Sequence, residues 1–304
     1  MGRYLASRLL QALLGLIFIS TLVFFLVRLT GDPARILMSD FAPLELREQL
    51  AERLGLDRPL YEQYFSYMSG LVRLDLGDSF NGQPVLDILL ARLPATASLA
   101  LAALVVAIIL GLPLGILSAV YKGSAIDMFS RSVALFGQSV PAFWLAIMLV
   151  LIFSVILRIF PVAFGTGPES YVLPAIAIGW AAVAGIARLV RSSMLDVLDS
   201  DYVRMARAKG LPPRVVVVKH AFRSAIIPVL TFSGLVLGSF MNGSVVVEVV
   251  FAWPGVGKLT MDAVNGRDFP VVQGAVIMFA VFFITINLAV DLLYAYLDPR
   301  IRYG

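Results

Sequence analysis

Cysteine is absent from this 304-residue chain, histidine occurs once, and charged residues make up only 14% of it. Without cysteine there is no disulfide framework, no zinc–thiolate site and no thiol nucleophile. The single histidine, His220, leaves no material for a His-rich metal site or a histidine proton relay. Globular chains carry about 25% charged residues. A chain with 14% charge, 60% hydrophobic residues and a mean hydropathy of +0.90 has more apolar surface than a water-soluble fold of this length can bury, so the surplus must face lipid. The net charge of +4 requires no nucleic acid to explain it. With 16 prolines and 24 glycines, the chain is also no simple rod of helices.

A helix crossing about 30 Å of hydrocarbon needs about 20 residues. Six charge-free stretches meet that length, at 9–27, 94–120, 132–157, 171–187, 224–247 and 269–290, the fourth being the shortest. The predicted fold is therefore all-α, a polytopic bundle of six transmembrane helices. Arg3 and Arg8 precede the first stretch, but its apolar run is longer than that of a signal peptide and no small-residue cleavage site follows, so it reads as a retained anchor. Lys and Arg in the short loops set the orientation. The richest segment carries Arg188, Arg191, Arg204, Arg207, Lys209, Arg214, Lys219 and Arg223, and lies on the same side as Arg3, Arg8, Lys122, Arg131, Arg300 and Arg302. The opposite short loops hold only Arg158, Lys258 and Arg267, which places both termini and the basic loop in the cytoplasm.

The chain then divides into an anchor with a long external segment (1–93), a five-span body (94–297) containing a basic loop (192–223), and a short tail (298–304). In the external segment Leu46, Leu50 and Leu54 recur at helical spacing between Pro43 and Gly55. A second run from Pro59 places Tyr61, Tyr64, Phe65 and Met68 likewise, predicting a small helical cap on the outer face that packs on the protein's own spans or contacts substrate. Gly111 with Gly115, and Gly234 with Gly238, have the GxxxG spacing that permits close helix approach. No internal repeat is visible.

Proton- or ion-driven transporters need ionisable residues at mid-membrane depth. None of the six stretches has one at its centre; Glu248 and Asp291 sit at the ends of the fifth and sixth. The tract Gly255-Val256-Gly257-Lys258-Leu259-Thr260 fails as a P-loop, since the first glycine position holds Ala252 and Leu259 stands where Ser or Thr must follow the lysine. Uphill movement would need energy from another subunit.

The basic loop is where such a subunit would bind. Ser200 is placed to cap a helix starting at acidic Asp201 and running through Tyr202, Val203, Arg204, Met205, Ala206, Arg207, Ala208 and Lys209 to a stop at Gly210, before Pro212 and Pro213. An apolar face (Tyr202, Met205, Ala206) beside a basic one (Arg204, Arg207) suits a lever docked in another protein's groove. A solvated basic loop obeying the charge rule fits the same residues.

In these residues the loop resembles the coupling loop of ATP-binding-cassette (ABC) import permeases, in the form found in the dipeptide, oligopeptide and nickel permease group. Similar to that group too are Gly31-Asp32-Pro33-Ala34, Gly55-Leu56-Asp57-Arg58-Pro59-Leu60, Asp75-Leu76-Gly77, the tract from Val247 to Gly257, and Leu297-Asp298-Pro299-Arg300-Ile301-Arg302. Arg204-Met205-Ala206 departs from the Glu-Ala-Ala of the wider importer pattern, leaving Gly210 as the clearest match.

The resemblance implies a type I importer fold and half of a translocation path for peptides or related solutes such as glutathione or nickel complexes. It implies a second, related permease as partner, two cytoplasmic ATPases that bind ATP and Mg, and an extracytoplasmic solute-binding protein, at a bacterial inner membrane. The chain itself then carries no cofactor, metal or catalytic residue. Asp201, Tyr202, Arg204, Met205, Ala206, Arg207, Lys209 and Gly210 become the ATPase-coupling residues. Phe251, Trp253, Pro254, Gly255 and Lys258, together with the external helical segment, become the expected binding-protein contact. The competing class is a stand-alone channel or facilitator.

Overall fold

The computed structural model describes residues 2–29, 57–165 and 167–297, and the regular structure among them is helical apart from one isolated bridge between Asp78 and Pro84. In chain order the helices are α1 Gly2–Leu29, α2 Leu60–Val72, α3 Val85–Val120, α4 Ala125–Ser139, α5 Ala142–Leu149, α6 Val172–Leu198, α7 Asp201–Ala208, α8 Arg223–Val250, α9 Val256–Asn265 and α10 Phe269–Leu297. A π-wound stretch, Val150–Ile156, extends α5, and another, Val216–Phe222, leads into α8. The helix expected between Pro43 and Gly55, the tract from Gly31 and the tail 298–304 lie outside the described residues.

Among the described residues five helices, α1, α3, α6, α8 and α10, are each long and apolar enough to cross a membrane, and α4 with α5 makes a sixth candidate. The third span is not the straight helix expected over 132–157: α4 and α5 meet at a bend of 105°. The cause is Pro141. Its ring disfavours helical backbone at the preceding residue, and Val140 is extended at φ −92° and ψ 121°. The fourth span is longer than its charge-free stretch, because α6 continues through Arg188 and Arg191 to Leu198.

The chain forms two compact units, Met1–Ala95 with Pro254–Leu288, and Thr96–Trp253 with Ala289–Gly304. In the first, Val85, Leu89, Val256, Val271 and Ala275 form a buried core between the start of α3, α9 and α10. Asp268 heads α10, and its Oδ2 accepts bonds from the Ser79 hydroxyl (2.5 Å) and the Phe80 N–H (3.2 Å). Part of the aromatic run of α2 packs on α1, where Tyr64 meets the Phe24 ring edge-on at 5.3 Å and shares a 2.9 Å hydrogen bond with Thr21, while Tyr61 and Phe65 stay exposed. Arg28 lies 3.6 Å from the Phe24 ring centroid and donates from Nε to Gln63 at 2.9 Å. Burial pushes the Tyr67 phenol of α2 up to about 12, so it stays protonated at neutral pH.

The second unit is built on the seam between α3 and α6. A Cβ on Gly179 would sit 2.6 Å from the Ala103 carbonyl oxygen, one on Gly111 would sit 2.9 Å from Ile186 Cβ, and one on Gly115 would sit 2.6 Å from both the Ala187 carbonyl oxygen and Val190 Cβ. The spacing read from the sequence thus marks a real backbone approach. On α8, Gly234 gives similar room to Val290.

Gly115→Ala is expected to lower the midpoint of thermal unfolding of the detergent-purified protein, by an overpacking cost of about 1–3 kcal/mol. Gly243→Ala, on α8 with nothing within 4 Å of the added carbon, should leave the midpoint unchanged or raise it.

Candidate functional site

The basic loop folds around one short helix, α7. Ser200 occupies the N-cap position of α7 with extended backbone (φ −73°, ψ 153°), but its hydroxyl does not cap that helix. It donates instead to the Val197 carbonyl at 2.5 Å, beside the Ser200 N–H at 3.0 Å, so both close the end of α6. One residue therefore closes one helix and begins the next. At the far end Gly210 adopts φ +77°, with its N–H on the Arg207 carbonyl (2.9 Å) and the Leu211 N–H on the Ala206 carbonyl (3.4 Å). That double bond pattern with a left-handed residue is the Schellman stop, which favours glycine. The helix ends at Ala208, with Lys209 as C-cap.

The faces of α7 differ from the expected division. Val203 and Ala206 are buried, while Tyr202 and Met205 are 47% and 61% exposed. Residues three apart share a face, so Val203 and Ala206 hold the helix to its own chain. The neighbouring stripe of Tyr202 and Met205 stays open beside the exposed Arg204, Arg207 and Lys209. Arg204 approaches Asp201 at 3.6 Å, both exposed, an ion pair of little energetic weight. The Tyr202 hydroxyl donates to the His220 carbonyl, at 3.4 Å, in the π-wound stretch before α8. A cavity of about 360 Å³ lies beside α7, lined by Val120, Leu198, Arg207, Leu211, Pro213 and Val216.

The second predicted group, after α8, is mostly interior. Trp253 and Phe251 are 0% and 2% exposed, so neither presents the aromatic side chain expected at an outward-facing contact. Trp253 packs edge-on to Tyr171 at 4.5 Å and to Phe164 at 4.7 Å between ring centroids. The turn that buries it is another Schellman stop: the Trp253 N–H bonds the Glu248 carbonyl (2.8 Å) and the Ala252 N–H bonds that of Val249 (3.2 Å), with Ala252 at φ +49°. Glu248 is also fully buried, accepting from the Thr96 (2.8 Å) and Ser244 (2.9 Å) hydroxyls, rather than lying at an accessible end of the span. Gly255 is buried as the N-cap of α9, and Pro254 is half-buried. Lys258 is partly exposed and bridges to Asp262 at 2.6 Å. The glycine-rich tract is thus the first turn of a helix and not a phosphate cradle.

A buried cluster around Asp127 escaped the sequence reading. Ser124-x-x-Asp127 has the spacing of a helix-capping pair, and that was the available signal; its partner Arg191 counted only as one more loop cation. Among the described residues no group of three or more His, Asp or Glu is arranged to hold a metal.

Two family descriptions match the chain: "binding-protein-dependent transport system inner membrane component" over residues 111–303 and its N-terminal counterpart over 1–100. Among curated relatives, the glutathione transport system permease protein GsiC of Escherichia coli K12 is 43% identical over 305 residues, covering 100% of both chains. The protein of the same name from Shigella boydii is 42% identical with the same coverage. Among solved structures, inward-facing MetNI methionine ABC transporter superposes with a TM-score of 0.59 at 18% identity, covering 69% of this chain and 96% of that one. An amino acid ABC transporter with histidines gives 0.55 at 15%, covering 69% and 94%.

These likenesses define a class, the transmembrane subunits of ABC importers. The chain belongs to the binding-protein-dependent transport system inner membrane component family: it is a type I ABC importer permease, a multi-pass inner-membrane component of an ATP-driven importer whose ATPase is a separate subunit.

Trp253→Ala should destabilise the purified protein by about 3–5 kcal/mol, seen as a large fall in its unfolding midpoint. Ala252→Gly, which relieves a left-handed Cβ, should raise that midpoint by an increment of about 1 kcal/mol.

Proposed function

We propose that this permease forms half of a translocation path for peptides or small peptide-like solutes, glutathione among them, and that residues 201–210 are its coupling element. The substrate class rests on the name of relatives 43% identical over the full length. The coupling reading is carried by one observation: α7 is held to its own chain through Val203 and Ala206 while the adjacent Tyr202 and Met205 remain exposed among basic residues. Apolar side chains kept in the open on a capped, anchored helix suit a partner's groove better than solvent.

In this reading a second, related but different permease completes the path. Two ABC ATPases, holding ATP and Mg, take up the α7 helices, and a solute-binding protein delivers cargo from the other side. The Lys and Arg distribution places the termini and α7 in the cytoplasm. Residues 1–93 act as anchor and external cap, 94–297 as transport core and 298–304 as tail. With Phe251 and Trp253 buried, the binding-protein contact falls on the exposed Tyr61 and Phe65 of α2 and on the surface around Pro254 and Lys258. ATP-driven closure of the ATPases moves the coupling helices and switches the path between inward- and outward-open states.

Uptake of labelled glutathione and dipeptides into cells whose own importers are deleted tests this. Tyr202→Ala with Met205→Ala should reduce uptake at least about tenfold, while chain abundance in the membrane is unchanged because both side chains are exposed. Full uptake by the double variant, or uptake that persists without ATP, contradicts the proposal.

A further inference from the structure

The cluster around Asp127 lies at the root of the lever, and none of the coupling residues includes it. Asp127 is the third residue of α4 and is only 1% exposed. Its Oδ1 accepts from the Ser118 hydroxyl of α3 at 2.6 Å and from Arg191 Nε of α6 at 2.9 Å. Its Oδ2 accepts from the Gly123 N–H at 2.9 Å and from Arg191 Nη2 at 3.1 Å. Gly123 takes φ +80°, and Ser124 caps α4 by accepting from the Asp127 N–H at 3.4 Å. Arg131, half-exposed one turn on, adds a looser contact at 3.3 Å. One carboxylate thus gathers the end of α3, the following turn, the start of α4 and α6, with both oxygens multiply satisfied.

Such a cluster is a poor way to gain stability alone, since a buried ion pair recovers little beyond its desolvation cost and an apolar replacement often holds as well. What the paired guanidinium bonds add is direction: two parallel bonds fix both distance and angle. Their place in the chain gives that direction a use. Arg191 follows Val190, which meets Gly115 at the α3–α6 seam, and it precedes Leu198 by about 10 Å of helix. Only Asp199 and Ser200 then separate α6 from α7. A displacement of α7 reaches the last two turns of α6, just beyond this clamp, as well as the stretch 216–222 that Tyr202 bonds through the His220 carbonyl.

We propose that Asp127 and Arg191 are positioning residues for energy coupling. They lock the loop ends of α3, α4 and α6 into one rigid body, so that movement of α7 displaces the spans instead of bending α6. This rests on the reading of α7 as the coupling helix.

The test uses the complete transporter, with its partner permease, ATPases and binding protein, in proteoliposomes, and reads solute moved per ATP hydrolysed. Arg191→Lys keeps the charge but loses the paired bonds, and Asp127→Asn keeps the shape but loses the charge. Each should retain the ATPases at wild-type ratio and hydrolyse ATP within about twofold of wild type, while transport per ATP falls at least about fivefold. Arg131→Ala should keep the wild-type ratio. An unchanged ratio in Arg191→Lys and Asp127→Asn, or transport and hydrolysis falling in parallel, overturns the proposal. Should both fail to assemble, Ser118→Ala removes a single bond: a lowered ratio there supports the proposal, and a wild-type ratio or failure of this variant too overturns it, leaving a folding role only. The Tyr202→Ala and Met205→Ala double variant run alongside separates the two ideas. If it neither loses ATPase nor uncouples, the reading of α7 fails; if it uncouples while Arg191→Lys does not, the clamp alone fails.

Discussion

Lipid tails are as apolar as leucine, so no hydrophobic force draws one spanning helix to another, and close packing has to do that work. In this permease close packing is seen between α3 and α6. Gly179 leaves room for the Ala103 carbonyl, Gly111 for Ile186, and Gly115 for Ala187 and Val190. The contact runs along about 18 Å of α3, from Ala103 to Gly115. α6, which also packs against α8, α4 and α5, has 61% of its apolar window buried against 22–33% in the other four straight spanning helices. Where α6 goes, the rest of its unit must follow.

That seam supports the coupling role proposed for the loop after α6. A helix is stiff along its axis, but one tethered by a flexible link transmits nothing. Here the link is two residues, and Ser200 spends its hydroxyl on closing α6 at Val197. Gly210 closes α7 from the other side, and Val203 and Ala206 seat it. Met205, Arg204, Arg207 and Lys209 face outward from that seat. At the opposite end of the same unit the Trp253 corner, with Tyr171, Phe164, Glu248 and Thr96, is closed and desolvated, which gives it a packing role.

Much of this could be read from residue order, because the relevant physics is local. Charge-free length locates the spans. Gly210 before Pro212 and Pro213 locates the end of α7, since a left-handed stop favours glycine wherever it occurs. The Gly111–Gly115 pair points to close approach. Other features depend on partners distant in sequence. Whether Trp253 faces a partner or the interior is decided by Tyr171 and Phe164, and whether Tyr202 or Val203 seats α7 is decided by the surrounding helices. Asp127 gives little sign of pairing with Arg191, 64 residues away. The bend at Pro141 was legible in principle: Val140-Pro141 interrupts an otherwise even apolar run, but apolarity alone masked it.

The chain's lack of cysteine makes one measurement especially direct. Met205→Cys on the exposed stripe of α7 and Val203→Cys on the buried one each introduce a single thiol, with ATPase variants carrying single cysteines in the groove facing the permease. Under mild oxidation in native membranes, Met205→Cys should form a disulfide with the ATPase and Val203→Cys should not. The cross-link should change in yield when ATP is trapped on the ATPases. No cross-link from Met205→Cys at any groove position, in membranes where the intact complex is recovered and transports, would show that α7 is not the element through which the ATPase drives this permease.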